Sequence, residues 1–238
     1  MVSIALDSST DVCSAALLRD GEIIAERMNL VGSNHAALLP VYVQQLQAQA
    51  ADLGLKIDAI VLSEGPGSYT GLRIATSLAK GLCYGLDIPL IAVPTLAVMA
   101  YEAVRNQKSE VRDQKSAVIC PMIDARRMEV YCAMYEIVEG LKEIQPVSAV
   151  VVDEQSFAPM LSEHEVYFCG NGAEKCKAVI QHPNARWIDG IVPRAAAAGQ
   201  LAELGCLVTE VRGKDIAYFE PNYLKEFVAA PSHVKGLR

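Results

Sequence analysis

The residues with the most chemical potential are Gly65-Pro66-Gly67-Ser68-Tyr69-Thr70-Gly71-Leu72-Arg73. An apolar run precedes them and a helical pattern follows. At such a strand-to-helix junction, free backbone N–H groups can hold an anion. The spacing is not a Walker A loop, which ends in Gly-Lys-Ser/Thr, nor Gly-x-Gly-x-x-Gly, because the third glycine falls one residue late. A tight turn capped by Ser68 or Thr70 accounts for the same residues without a ligand. Arg73 opposes the helix dipole in the first turn and therefore calls for an anionic partner: Glu64, Asp7 or a group on another chain.

A second polar cluster, Asp7-Ser8-Ser9-Thr10, sits where a strand turns back. Its small hydroxyl residues could approach a phosphate, and Asp7 could equally close an Asx turn. Together Asp7, Ser8, Gly65, Gly67, Ser68, Thr70 and Gly71 form a set that is either a nucleotide loop or a structural one. The histidines His35, His164, His182 and His233 include no i, i+4 pair, and the seven cysteines include no CxxC. Neither metal nor cofactor is expected. Most of the thiols lie in apolar surroundings and read as packed, reduced groups. There is no Gly-x-Ser-x-Gly elbow or obvious Cys–His pair, so no catalytic set emerges. Asp124-Ala125-Arg126-Arg127 reads as a charged surface turn between strands.

The elements that must position these residues follow from patterning. Val2–Leu6, Val12–Leu18 and Glu22–Asn29 read as three strands of a meander, with Asp20-Gly21 as the second turn. Ser33 or Asn34 can cap a helix to about Leu53, with Leu39, Val43, Leu46 and Ala50 at helical spacing and Leu38 and Tyr42 widening the stripe. A strand over Asp58–Ser63, a helix to Leu86, a strand over Ile88–Val93 and a helix from Thr95 to Asn106 come next. After the charged stretch 108–115, a strand, a turn and two further strands echo the opening meander, and helix-like stretches fall near 154–162, 173–181 and 194–209. Pro221-Asn222-Tyr223-Leu224-Lys225 reads as a turn that docks the tail. The expected division is 1–107 with 216–238 returning to it, and 116–215.

The 238 residues are 52% hydrophobic and 21% charged, enough for a substantial core. Net charge is −7, which disfavours nucleic acid as a direct, high-affinity ligand, although a partner could supply a basic surface. No apolar run is long enough to span a membrane and the first residues lack a basic leader start, so a cytoplasmic protein is expected.

The stretch Gly65 to Ala75 resembles the signature of the TsaB family. Ile4-Ala5-Leu6-Asp7-Ser8-Ser9-Thr10 resembles that family's opening strand, and His35 with Leu38-Leu39-Pro40 its first helix. Met122 to Tyr131 resembles its second hairpin, with Met128 where glycine is more usual. Pro221 to Lys225 resembles its C-terminal Pro-x-Tyr-Leu-Arg, with lysine for arginine. The resemblance covers nearly the whole chain and implies an α/β protein of two actin/hexokinase-like (ASKHA) lobes, each a mixed β-sheet flanked by helices.

It further implies a non-catalytic subunit for tRNA N6-threonylcarbamoyladenosine formation at position 37. Such a subunit pairs with and activates the TsaD transferase, is joined by TsaE, dimerises when alone and meets tRNA only through the complex. His35, Leu39, Tyr42, Val43, Leu46, Arg73, Leu78 and Leu82 are then expected at the partner interface, and no residue is expected to be catalytic. The main alternative is a small-molecule phosphotransferase or ATPase of the actin–hexokinase class. It would use Asp7 and the Gly65–Gly71 loop, and needs a second phosphate loop for which Gly170-Asn171-Gly172-Ala173 is the candidate. A peptidase lacks a nucleophile here, and a tRNA-binding module conflicts with the charge.

Overall fold

A computed structural model describes residues 1–32, 34–106, 117–138 and 140–225. The stretch 108–115 and the tail beyond 225 fall outside these residues, as does Ser33.

The chain builds two mixed sheets. The meander is β1 (Val2–Asp7), β2 (Cys13–Arg19) and β3 (Glu22–Asn29). Asp20 and Gly21 both take positive φ, at 52° and 78°, the twist-matched hairpin turn that an Asp-Gly pair favours. Then follow α1 (His35–Asp52), β4 (Ala59–Ser63), α2 (Tyr69–Leu86), β5 (Leu90–Val93) and α3 (Thr95–Asn106). The second series is β6 (Val118–Asp124), β7 (Glu129–Val138), β8 (Gly140–Val151), α4 (Ala158–Glu163), β9 (Val166–Cys169), a 3-10 turn (Glu174–Cys176), β10 (Ala185–Ile188) and α5 (Ala195–Leu204). The short β11 (Thr209–Val211) and α6 (Asp215–Tyr218) end the regular structure.

The two sheets share one topology. The first runs β11-β5-β4-β1-β2-β3 and the second β10-β9-β6-β7-β8. Without the added edge strand β11, both have the order fifth-fourth-first-second-third, with an antiparallel meander and two parallel additions. The echo between the two halves of the sequence is thus a repeated fold. The expected α/β architecture of two mixed sheets flanked by helices is the one observed.

Strand alternation sends residues of β1, β2 and β4 to two separate cores. Ala5, Ala16 and Val61 face a central core between the sheets, with α3 and α5. Ile4, Leu6, Leu17 and Leu62 face an outer core covered by α1, α2 and α6. The final helices are exchanged: α3 packs on β6, β7, β8 and β9, whereas α5 packs on β1, β2 and β4 and against α3. Arg194 leads into α5 and ties this exchange together, its guanidinium reaching Glu26 of β3 and, at 3.2 Å, Glu102 of α3.

Two expectations are corrected here. The chain returns to the first sheet well before 216, because α5 covers that sheet and Thr209–Val211 pairs with Leu90–Ala92. The helical patterns near 173–181 and 194–209 resolve into a single 3-10 turn and a shorter helix, the latter stopped where Gly205 takes φ 65°.

Candidate functional site

The loop Gly65–Gly71 and the turn Asp7–Asp11 meet at the end of the first sheet where β1 and β4 run side by side. The meeting is close. Ser68 N donates to Ser9 O at 2.6 Å, and Ser8 Oγ donates to Gly71 O at 2.7 Å. A Cβ on Gly67 would lie 2.1 Å from Ser9 O, and one on Gly71 would lie 1.9 Å from Ser8 O, so only glycine permits this approach. Ser68 caps α2, its Oγ accepting from Gly71 N at 3.3 Å. Gly65, at φ 117°, is bracketed by Thr95: Gly65 N donates to Thr95 Oγ1, and Thr95 N donates to Gly65 O. Thr70 is exposed and is not the cap. The amides of Gly65, Ser68 and Gly71 are thus engaged within the chain.

Asp7 is wholly buried and closes the turn, with Oδ1 accepting from Ser9 N and Ser9 Oγ, both at 3.1 Å. Burial pushes its carboxyl up to about 6, against hydrogen bonds that favour the charged form. His35, also buried, has Nε2 2.8 Å from Thr10 O; a carbonyl only accepts, so Nε2 carries the proton.

The second half repeats the arrangement. Gly170 and Gly172 press against Met122, Ile123 and Asp124 at the end of β6, as Gly67 and Gly71 press against the turn after β1. Asn171 Oδ1 accepts from Asp124 N at 3.0 Å. Asp124, unlike Asp7, is exposed and ion-paired to Lys175, and its Oδ1 accepts from Arg126 N at 2.9 Å. Arg126 and Arg127 both take positive φ, 71° and 50°, a backbone that costs a non-glycine residue about 1 kcal/mol or more.

Between the two turns lies a cleft of about 630 Å³, lined on one side by Ser9, Ser68 and Thr70 and on the other by Asp124, Arg126 and Asn171. An adjoining hollow, which shares Tyr69, Tyr223 and Lys225 with the cleft, holds Arg73, stacked 4.2 Å over the Tyr69 ring and donating from Nε to Tyr223 Oη at 3.3 Å. Tyr223 packs on Tyr69 with ring centroids 4.9 Å apart, and Asn222 N donates to Glu64 O, so the segment after α6 docks here as the turn at Pro221 suggested. Neither Glu64 nor Asp7 pairs with Arg73, and no ion pair to it falls among the described residues; Glu220 is the carboxylate that acts on it through space.

The expected partner face is corrected in part. His35, Leu39, Val43 and Leu46 lie 6%, 0%, 2% and 0% exposed, and the three aliphatic side chains fill the chain's own outer core. The apolar stripe of α1 faces the sheet. Tyr42, Leu78 and Leu82 are half-buried beside it, and Arg73 is exposed. Helical spacing identified which side of each helix was apolar, but not what would cover it. Lys175 was missed as a site residue, because its pairing with Asp124, fifty-one positions away, leaves no local spacing signal, whereas Asn171 and Tyr223 were named only as parts of a candidate loop and a docking turn.

Six of the seven cysteines are buried and none is in a disulfide. Burial drives the Cys83 and Cys169 thiols up to about 12 and Cys13 to about 11, which suits packed, unreactive groups. Among the described residues no cluster of His, Cys, Asp or Glu could hold a metal, and no helix is long and apolar enough to cross a membrane.

Two mixed sheets of one topology with exchanged helices, opening a cleft between glycine-packed turns, define a two-sheet α/β protein. The family described as TsaD, tRNA N6-adenosine threonylcarbamoyltransferase, matches residues 28–231. The tRNA threonylcarbamoyladenosine biosynthesis protein TsaB of Bacillus subtilis is 31% identical over 229 residues, 94% of each chain. The TsaB of Escherichia coli is 30% identical over 228 residues, 95% of each. A solved Pseudomonas aeruginosa protein, described as uncharacterized with similarity to peptidase YEAZ, superposes with a TM-score of 0.75 at 27% identity, over 94% of this chain and 99% of its own. The chain belongs to the TsaB branch of this family.

Proposed function

We propose that the chain is the non-catalytic subunit that binds and activates the TsaD transferase in forming N6-threonylcarbamoyladenosine at position 37 of tRNA, in the cytoplasm, with TsaE joining the pair. The observation that carries this reading is the closure of both glycine loops onto the adjacent turns. Ser68 N, the Ser8 hydroxyl and the Asp7 carboxylate are all engaged inside the chain, and Asp124 is tied to Lys175. A phosphotransferase of this architecture needs those groups for phosphate and metal, so the alternative has less support. The sequence also lacks the His-x-x-x-His pair that the resemblance assigns to the catalytic partner.

The partner surface is then the outward side of α1 and α2, not the stripe that faces the sheet. Ala37, Val41 and Gln44 are exposed on α1, with Ser77, Gly81 and Tyr84 on α2, and Tyr42, Leu78 and Leu82 lie at its edge. Small residues would let partner helices approach closely, and Tyr84, 91% exposed, would provide an anchor. The same face accounts for a homodimer in the absence of TsaD. The two sheets are read as two lobes, the second lending α5 and β11 to the first.

Reconstitution tests this reading. Incorporation of labelled threonine into tRNA by TsaC, TsaD and TsaE should require the chain, while the chain alone neither hydrolyses ATP nor modifies tRNA. Undiminished incorporation on omission would overturn it.

A further inference from the structure

The chain carries a net charge of −7, yet unpaired cations gather at one place on it. In the hollow that adjoins the cleft, Arg73 projects from the second turn of α2, held by the Tyr69 ring and the Tyr223 hydroxyl, with Glu220 acting on it but no ion pair among the described residues. Across the cleft, Arg126 and Arg127 occupy consecutive left-handed positions that asparagine or glycine would fill at less cost. Both are exposed, and neither side chain has a hydrogen bond or ion pair among the described residues.

The depressions containing these arginines form one surface. Tyr69, Tyr223 and Lys225 line both the cleft and the hollow beside Arg73 and Lys80, and Lys225 also lines the hollow beside Arg126 and Arg127. Two of the acids here are already paired, Asp124 with Lys175 and Glu129 with Lys225. Asp11 and Glu220 remain, against three unpaired arginines.

We propose that this mouth is a contact for the phosphate backbone of RNA, with Arg73, Arg126 and Arg127 meeting phosphates. Several guanidiniums spread over adjoining hollows suit a chain of phosphates, each of which a guanidinium can hold with paired N–H groups. The choice of RNA as the polyanion rests on the proposed function. Three cations set the scale: binding is weak outside the assembly, and the logarithm of affinity falls against the logarithm of salt with a slope of about −2.

The test is fluorescence anisotropy of a labelled anticodon stem-loop RNA with the full-length chain across a salt series. Arg73→Glu and the double variant Arg126→Glu/Arg127→Glu are compared with Lys56→Glu, an equivalent charge change at the far end of β4. The arginine variants should each weaken binding about tenfold or more and flatten the slope, with unchanged melting, while Lys56→Glu changes affinity less than about threefold. The proposal is overturned if the wild-type chain does not bind the RNA at low salt, or if all variants bind alike. It is equally overturned if ATP or polyglutamate binds through these arginines and RNA does not displace it. In the reconstituted reaction, Arg126→Glu/Arg127→Glu should raise the KM for tRNA while TsaD still co-purifies. An unchanged KM, in a reaction that still requires the chain, removes the RNA contact and leaves the proposed function standing.

Discussion

The amide of Ser68 donates to the carbonyl of Ser9 at 2.6 Å, a bond between the loop that precedes α2 and the turn that follows β1. It is possible only because the neighbouring glycines let two backbones touch. The Ser68 amide and the Ser8 hydroxyl are both used in holding the two turns together.

Replacing either glycine should therefore act on stability first. Gly71→Ala and Gly67→Ala place a methyl about 2 Å from a backbone carbonyl, which cannot swing aside as a side chain can. A loss of about 2 kcal/mol or more is expected, read as a lower urea midpoint with little change in m-value. Gly81→Ala, where an added Cβ meets nothing within 4 Å, should leave the midpoint unchanged or raise it.

Asp7 makes stability depend on pH in an unusual direction. Its folded carboxyl titrates at about 6, against 3.8 for the unconstrained group. Between these values the folded chain holds the proton more tightly than the unfolded chain. The Asp7 contribution is therefore fully present below about pH 4, falls as pH rises, and levels off above about pH 6. The span corresponds to at most about 3 kcal/mol. Subtracting the Asp7→Asn curve from the wild-type curve over pH 4 to 7 should isolate this descent; a flat difference would show that Asp7 is solvated in solution.

Leu46 and Val41 separate folding from pairing. Leu46 is 0% exposed in the outer core, so Leu46→Ala should cost about 2–5 kcal/mol and Leu46→Glu should prevent folding. Val41, 45% exposed on the outward side of α1, should accept glutamate with little change in melting temperature. If the proposed partner face is right, Val41→Glu no longer retains TsaD on co-purification, and retention at wild-type yield would place the interface elsewhere.

Arg194 pairs with Glu102, whose side chain is only 3% exposed and which Arg105 also meets at 3.7 Å, and with Glu26. Arg194→Ala leaves Glu102 only the longer pair with Arg105 and should cost about 1–3 kcal/mol, whereas the double change Arg194→Met/Glu102→Gln should recover part of that loss. Chemical denaturation of the two variants and the wild-type chain measures the loss and its recovery.

Much of this architecture was legible before any coordinates. Asp20-Gly21 marked its hairpin because two positive φ angles are needed there, and Thr95–Asn106 has the predicted limits because its apolar pattern begins and ends there. The central core was also foreshadowed, since fully buried strands such as Ala59–Ser63 read as unbroken apolar runs. What escaped was long-range. Nothing local in Ala195–Leu204 says that it covers β1 and β2, and nothing in the spacing of Leu39, Val43 and Leu46 distinguishes a sheet from a second chain as their cover. The glycine loop was found from its type and spacing, but its role was decided by Ser8 and Ser9, about sixty residues away.

The exchanged helices have one more consequence. Neither sheet is sealed on its inner side by a helix of its own series, so a chain severed between α3 and β6 would not release two self-sufficient folding units. The pieces would stay loose and sticky apart and regain order only by recombining. The intact molecule should accordingly melt in a single cooperative step, and opening its cleft by a rigid swing would require pulling α3 and α5 out of their adopted beds.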